Sequence, residues 1–306
     1  MNPSSKTSKE QVITSASARK NGSSSSFVQA FLKDGSSVQY RVASLLKKNG
    51  WDVKLEQAYI DDSEARVRQC DIVASKKIAK GKITVKLIIE CKYVKDGHII
   101  FLSDDVGDYC SRVEDRSVSI RTGSNKIKEH FEKNAINKHH YCNPVCLSST
   151  SLARERDGDV FKKMDKDVIF EAVCQVVKPM IDQSKREYTD TVTYLVVVIG
   201  SAELYTCPIS ALPTLQSLVC EGIPPIFEPK GRLCLEYSYS INHGRKPSTL
   251  IIDILREENL EEYLNDTIQP EIRELELYQE GLTWEQERQG RRGELHEGGP
   301  GNFSVI

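Results

Sequence analysis

Two apolar runs joined by a short polar segment constrain the fold of this chain more than any other feature. The first run is Asp71-Ile72-Val73-Ala74, the second spans residues 87–93, and the lysine-rich segment between them contains Gly81. Strand-like runs around a polar, glycine-containing turn are typical of a β-hairpin. If the turn centres on Lys80-Gly81, Asp71 lies opposite Glu90, with Cβ atoms roughly 5 Å apart.

The side chains of the second run divide between two faces. Successive residues of a strand point in opposite directions, so Glu90 and Lys92 share one face. The other face carries the apolar set Leu87, Ile89, Cys91 and Tyr93. The sequence therefore predicts two carboxylates and a lysine on one face of the hairpin. Two carboxylates at this separation are close enough to share one hard cation, Mg²⁺ or Mn²⁺.

Length and composition narrow the class of protein. The chain has 306 residues, 39% of them hydrophobic, which is enough to bury a substantial core. Its longest apolar run, residues 192–199, is too short to cross a membrane, and the Ser/Lys-rich start has no apolar signal core. We therefore expect a cytoplasmic protein with no membrane association. The nine cysteines have no regular paired spacing and are expected to be reduced thiols.

Charge is unevenly distributed along the chain. The total is only −2, but residues 1–100 carry eighteen Lys/Arg against ten Asp/Glu, whereas residues 253–306 carry five against fourteen. A basic front half that contains the carboxylate pair suits a polyanionic substrate. The alternative is that these lysines are simply solvated. For Lys76, Lys77, Lys80 and Lys82 the two readings are a solvated hairpin tip and a contact with a DNA backbone.

Composition also divides the chain into segments. Residues 1–26 are rich in Ser, Thr, Lys and Asn and are expected to form a disordered leader. One domain is expected over residues 27–250, with an insertion at about 96–165. An acidic helical extension is expected over residues 251–289, and a Gly-rich flexible tail over 290–306.

Hydrophobic periodicity gives the order of elements within the domain. A helix is predicted to begin at Gly35-Ser36-Ser37 and to end at Asn49-Gly50. Three strands follow, over residues 51–60, 67–75 and 83–94. A second helix is predicted at about 165–186, and the β-branched run at 192–199 predicts a central strand covered on both faces.

This order, αβββαβ, with an acid on the second strand and Glu90-Cys91-Lys92 on the third, resembles the PD-(D/E)xK, or restriction-endonuclease-like, nucleases. The stretch from Val38 to Val53 is similar to the opening helix of Mrr-type restriction enzymes. The resemblance implies an α/β restriction-endonuclease-like core with a mixed sheet flanked by helices. It also implies a Mg²⁺-dependent deoxyribonuclease, acting on DNA in bacterial restriction or anti-phage defence.

Partners follow from the same resemblance. Many enzymes of this fold cut two strands as dimers, so a homodimer or larger homo-oligomer is expected. A protein partner in a defence complex is a further expectation, and the acidic C-terminal helix is a candidate interface for either.

The expected roles of the site residues follow from their chemistry. Asp71 and Glu90 would bind the metal through oxygen, with the carbonyl of Cys91 as a further ligand. Lys92 would orient the attacking water or stabilise charge on the phosphate. Gln39 and Glu56 are accessory candidates. Mrr-type helices commonly carry a glutamate at the position of Gln39, where an amide contributes less negative charge.

Two other acid-x-Lys triplets provide a comparison. Asp52-Val53-Lys54 has no carboxylate on a preceding hairpin partner, and in Glu228-Pro229-Lys230 the proline removes a ladder hydrogen bond. Only the triplet at Glu90 ends an apolar strand with an acid across a hairpin.

Other readings stay open. Asp71, Glu90 and Lys92 could form an incidental cross-strand salt bridge. The chain could be a catalytically weak or inactive nuclease-fold protein that binds nucleic acid or acts as a scaffold, or a nuclease for RNA or repair. The cluster from His139 to Cys146 contains two histidines and two cysteines, which could ligate zinc or be ordinary loop and core residues.

Overall fold

The protein is α/β, with a mixed sheet flanked by helices and a C-terminal helix. The computed structural model describes residues 35–103, 120–121, 145–154, 161–185, 190–215, 223–224, 226–239 and 248–281. The predicted leader, the predicted tail and most of the His139–Cys146 cluster lie outside these residues.

The described elements follow one another as one helix, six strands, a helix, a strand, a helix, three strands and a final helix. The helices are α1 (Gly35–Lys48), α2 (Val168–Ser184), α3 (Leu212–Leu215) and α4 (Leu260–Tyr263), and α4 continues through a π turn at Leu264–Ile268 into helical residues 269–281. The strands are β1 (Asp52–Asp61), β2 (Arg66–Ile78), β3 (Ile83–Ser103), β4 (Ile120–Arg121), β5 (Val145–Arg154), β6 (Phe161–Lys163), β7 (Asp190–Pro208), β8 (Glu228–Lys230), β9 (Arg232–Tyr239) and β10 (Ser248–Arg256). We refer to residues 257–281 as the C-terminal helical segment.

Helix α1 confirms the predicted bounds. Its apolar stripe is buried, with Val38 and Leu46 both 0% exposed. The helix ends because Gly50 takes a φ of +78°, a conformation that glycine adopts without steric cost. The N–H of Gly50 donates to Lys47 O at 3.0 Å, and that of Trp51 donates to Leu46 O at 3.1 Å.

The β2–β3 hairpin has the predicted register. Ile72 pairs with Ile89 and Ile78 with Ile83, and the intervening turn has positive φ at Lys80 (56°) and Gly81 (84°). The pairing therefore centres on Lys80-Gly81, which is the centre that placed Asp71 opposite Glu90.

Helix α2 returns the chain to the other edge of β3. Its N-cap is Asp167, whose Oδ1 accepts a hydrogen bond from the N–H of Phe170 at 3.0 Å. Strand β7 then lies parallel to β3, from the Ile83–Asp190 pair to the Ser103–Pro208 pair. Residues 191–200 of β7 are buried, which confirms the predicted central strand.

Two regions contain strands that periodicity did not predict. Strand β3 continues to Ser103, and β5 and β6 join the sheet from within residues 96–165. Strand β10 pairs with both β7 and β9. The pairings β3–β5–β9–β10–β7 return to β3, so these five strands form a closed ring.

Each face of the sheet packs on a separate core. One core contains α1 and the C-terminal helical segment, and the other contains α2. Buried hydrogen bonds attach the C-terminal helical segment to the sheet, from Tyr263 Oη to Asp253 Oδ2 at 2.7 Å and from Tyr194 Oη to Glu271 Oε2 at 2.5 Å. Among the described residues, no helix is both long enough and apolar enough to span a bilayer.

Candidate active site

The candidate site lies at an opening on one side of β3. On that side β3 pairs with β2 as far as Ile89, and it pairs with β5 from Gly97 onward. Within the described residues, no strand pairs with residues 90–96 on this side. Glu90 and Lys92 therefore lie where two neighbouring strands separate.

The pairing of β1 with β2 is interrupted next to Glu90, at Glu56 and Asp71. Leu55 packs against the core beneath α1, whereas Tyr59 lies in the core beneath α2, so the inward face of β1 changes between them. Glu56, with a φ of 50°, lies at this change. It stands opposite Asp71, and neither residue takes part in the β1–β2 pairing around them. The Asp71 side chain is thereby free to turn toward β3.

The structure brings Asp71, Glu90 and Lys92 together. Asp71 Oδ2 accepts a hydrogen bond from the N–H of Cys91 at 2.8 Å. Lys92 Nζ donates to Glu90 Oε1 at 2.8 Å. Glu90 is 2% exposed, and the Lys92 side chain is 21% exposed. A buried acid is thus adjacent to a second acid and to a partly accessible cation.

The second oxygen of Glu90 distinguishes this cluster from a simple salt bridge. Glu90 Oε2 is buried, and no N–H or O–H donor of a described residue bonds to it. A buried polar atom without a partner is costly, so this oxygen calls for a proton, a cation or an ordered water.

The titration of the two acids agrees with that geometry. Burial, followed by the nearby charge of Asp71, raises the pKa of Glu90 to about 7, although the charge of Lys92 opposes the shift. Burial also raises the pKa of Asp71, against the hydrogen bond from the Cys91 N–H and the charge of Lys92. The site therefore disfavours two negative charges unless a cation joins them. When Glu90 is protonated, its O–H can donate to the Asp71 carboxylate.

The donor set fits a hydrated hard cation better than a closed protein cage. Among the described residues, no group of three or more His, Cys, Asp or Glu side chains is arranged to hold a metal. Mg²⁺ keeps several waters and is commonly bound through one or two carboxylates, which Asp71 and Glu90 provide. The Cys91 thiol is not available as a ligand, because it is buried in the core beneath α1 and its pKa is raised well above the ordinary value. Ligation by the Cys91 carbonyl stays a prediction.

Gln39 reaches the site, as α1 was predicted to allow, but it contacts the backbone. Its Nε2 donates to the main-chain oxygen of Asp71 at 2.9 Å, and the residue is 8% exposed. Gln39 therefore supports the position of Asp71. Glu56 is exposed, and its negative charge contributes to the raised pKa of Asp71.

Gln175 on α2 is a site residue that the sequence analysis missed. Lys92 Nζ donates to Gln175 Oε1 at 2.6 Å, so two acceptors from different elements hold the ammonium. The available signal was a polar residue within the apolar run Ala172-Val173-Cys174-Gln175-Val176-Val177. Periodicity alone does not indicate which residue such an amide contacts.

The two other acid-x-Lys triplets and the His139–Cys146 cluster do not form a comparable site among the described residues. Lys230 bonds to Glu228 at 2.8 Å on the short strand β8, where Glu228 is exposed. Asp52 is also exposed. In the proposed zinc cluster, Cys146 is buried in the core beneath α2, while its histidines lie outside the described residues.

Comparison with known proteins identifies no relative. The sequence matches no protein-family model, no curated protein and no solved structure. The site is therefore assigned from the contacts and chemistry of this chain alone.

Proposed function

We propose that this chain is a Mg²⁺-dependent endonuclease of the PD-(D/E)xK type that hydrolyses phosphodiester bonds in DNA. The observation that carries the proposal is the buried Oε2 of Glu90, which has no hydrogen-bond partner among the described residues. Glu90 is adjacent to Asp71, and its other oxygen accepts a hydrogen bond from Lys92 Nζ. A carboxylate pair with an adjacent lysine provides a metal site and a phosphate-directed cation together.

The topology supports a restriction-endonuclease-like core. Strands β1, β2 and β3 form an antiparallel meander after α1, and α2 leads to β7, which is parallel to β3. This is the αβββαβ order that the resemblance implies, with Asp71 on the second strand and the Glu90-Cys91-Lys92 triplet on the third.

Each residue has a definable task. Asp71 and Glu90 would hold the ion, and a bound Mg²⁺ supplies Lewis-acid polarisation of the phosphate and a lowered pKa for its water. Lys92 is held by Glu90 and Gln175, so its remaining N–H donor has a restricted direction. A donor fixed before the reaction stabilises charge that develops on a phosphate oxygen without reorganisation. Helix α2 keeps water away from Glu90, which strengthens these interactions.

A scaffold protein without turnover is the second candidate. It is favoured by the hydrogen bond from the Cys91 N–H to Asp71 Oδ2, because a carboxylate there also caps the end of the β2–β3 ladder. The same reading does not explain Glu90. A buried acid with a pKa near 7 destabilises the fold at neutral pH, and a purely structural site gains nothing from it.

The test is DNA cleavage by purified Asp71→Ala and Glu90→Ala variants. Both are expected to lose Mg²⁺- or Mn²⁺-dependent cleavage of plasmid DNA while keeping the circular-dichroism spectrum of the parent. Glu228→Ala is the matched control, since it removes the acid of another Glu-x-Lys triplet, and it should cut normally. Parallel RNA substrates determine the nucleic acid. Full cleavage by either site variant, or no cleavage by the parent protein, would contradict the proposal.

A further inference from the structure

Strand alternation places three lysines on the same face of the sheet as the candidate site. Lys86 is four residues before Glu90 on β3, so both point to the side that packs on α2. Lys77 lies on the same face as Val73, which belongs to the core beneath α2. Lys54 stands directly opposite Val73 on β1. We refer to Lys54, Lys77 and Lys86 as the lysine track.

The track extends from the hairpin tip toward the site. Lys77 pairs with Thr84, which is six residues before Glu90 on β3. At about 3.3 Å per residue, the track extends about 20 Å from the carboxylates. The phosphates of one strand are spaced about 3.4 Å apart along the helix axis, so this length corresponds to about six nucleotides.

The hairpin-tip end of the track carries exposed positive charge. Lys54 and Lys77 are exposed, and neither forms an ion pair with a described residue. Lys86 donates to Gln183 Oε1 at 3.0 Å, which positions its side chain beside α2. Asp52, two residues before Lys54, is an acid on the same face at this end.

Other lysines at this end of the protein have local explanations. Lys47 and Lys48 lie in the last turn of α1, where positive charge stabilises the helix terminus. Lys76 lies 5.8 Å from the ring centroid of Trp51. Lys54 is on a strand at the edge of the sheet, where a lysine also discourages pairing with another chain. At Lys77 the described pairing of β2 is with β3 alone, because the β1–β2 pairing begins at Ser75, so the same explanation applies there.

We propose that the lysine track binds phosphates of a nucleic-acid strand on one side of the scissile bond. The inference rests on the proposed nuclease function and adds a direction to it. The substrate would extend from the carboxylate pair toward the β2–β3 hairpin tip. An acidic protein is a less suitable partner, because the track lies on the same face of the sheet as the proposed phosphodiester-directed site.

The experiment compares two double variants of the full chain. Lys54→Ala/Lys77→Ala removes two charges from the track, and Lys47→Ala/Lys48→Ala removes two charges from the same end of the molecule outside the track. Affinity for a labelled DNA duplex is measured by fluorescence anisotropy with Ca²⁺, between about 50 and 200 mM salt. Each lost phosphate contact lowers the slope of log affinity against log salt by about 0.9, so the track variant should lose about 1.8. The control should keep the parent slope.

The outcomes separate the inference from the function on which it rests. Equal losses in both variants would show a net-charge effect and overturn the track. A parent protein that cleaves DNA with Mg²⁺, together with a track variant that binds like the parent, would also overturn the track while leaving the nuclease proposal intact. A parent that neither binds nor cuts nucleic acid would overturn both. A slope change confined to single-stranded DNA would support the track, with a single strand as its ligand.

Discussion

Replacement of Glu90 by glutamine should stabilise the protein at alkaline pH. Glu90 is 2% exposed, and burial beside Asp71 raises its pKa to about 7 from an ordinary value of 4.5. Between these two values the folded state holds a proton that the unfolded state has released. The free energy of unfolding therefore falls as pH rises from 4.5 to 7 and stays low above 7.

The magnitude follows from the pKa difference. One pKa unit corresponds to about 1.4 kcal/mol, so Glu90 costs roughly 3 kcal/mol of stability at pH 8 relative to pH 4. Glutamine has no charge to bury, and its Oε1 can still accept from Lys92 Nζ. Its amide N–H can donate to the Asp71 carboxylate. We therefore expect Glu90→Gln to exceed the parent by up to about 3 kcal/mol at pH 8 and to match it near pH 4.

Urea denaturation in EDTA, repeated from pH 4 to 8, measures this difference. Glu280→Gln, at an exposed position on the C-terminal helical segment, is the control and should follow the parent at each pH. Addition of Mg²⁺ at pH 8 should then stabilise the parent, by about 2.7 kcal/mol at a hundred times the dissociation constant, and leave Glu90→Gln nearly unchanged. A parent whose stability is constant across this range, or a variant no more stable at pH 8, would refute the assigned environment of Glu90.

Three further substitutions test individual contacts. Lys92→Ala should lower turnover by about 10²-fold while Ca²⁺ affinity, measured by calorimetry, stays near the parent value, and an equal loss of both would contradict its role toward the phosphate. Gln175→Met removes the acceptor for Lys92 Nζ and should lower turnover by about tenfold without changing the KM for DNA, whereas Gln175→Glu restores an acceptor and should recover activity. Gln39→Glu replaces the donor to Asp71 O by a carboxylate and should destabilise the fold by about 1–3 kcal/mol in urea, and a tighter Mg²⁺ site with unchanged stability would mean that residue 39 acts as a ligand.

The expectation for Gln39→Glu differs from what the resemblance to Mrr-type enzymes indicates. An Mrr-type helix with glutamate at this position suggests that Gln39→Glu should strengthen the metal site. The hydrogen bond to the Asp71 backbone reverses that expectation, because an acidic side chain would face a carbonyl oxygen. The position of Gln39 was predictable from helix register, but the atom it contacts was not.

The hairpin was the most predictable part of the molecule. Its register depends on local turn chemistry and on alternation, both of which are visible in residues 71–93. The additional strands were not predictable, because β5 pairs with β3 and β10 pairs with β7, both of which are distant in the sequence. In β10, Ile252 and Ile254 flank Asp253, whose burial depends on the hydrogen bond from Tyr263. Asp253 precedes the acidic C-terminal helical segment, and nothing in the neighbouring sequence indicates that Tyr263 is its partner.

The opening in the sheet explains how Glu90 can be buried from bulk water and still be accessible to a ligand. Between Tyr93 and Gly97, β3 has three residues opposite one residue of β7, Ser201, which has a φ of 65°. A Cβ at Gly97 would lie 2.3 Å from Val94 Cγ1, so a larger residue here would displace the Val94 side chain. The bulge re-aims β3 just after Lys92 and allows β5 to replace β2 as its neighbour. Helix α2 covers the face above Glu90, and this burial raises the pKa of Glu90. Among the described residues, the gap between β2 and β5 leaves an approach to Glu90 from the side of β3. Burial of a side chain usually prevents a ligand from reaching it. At Glu90 the two are separated, because α2 provides the burial and the gap between β2 and β5 provides the access.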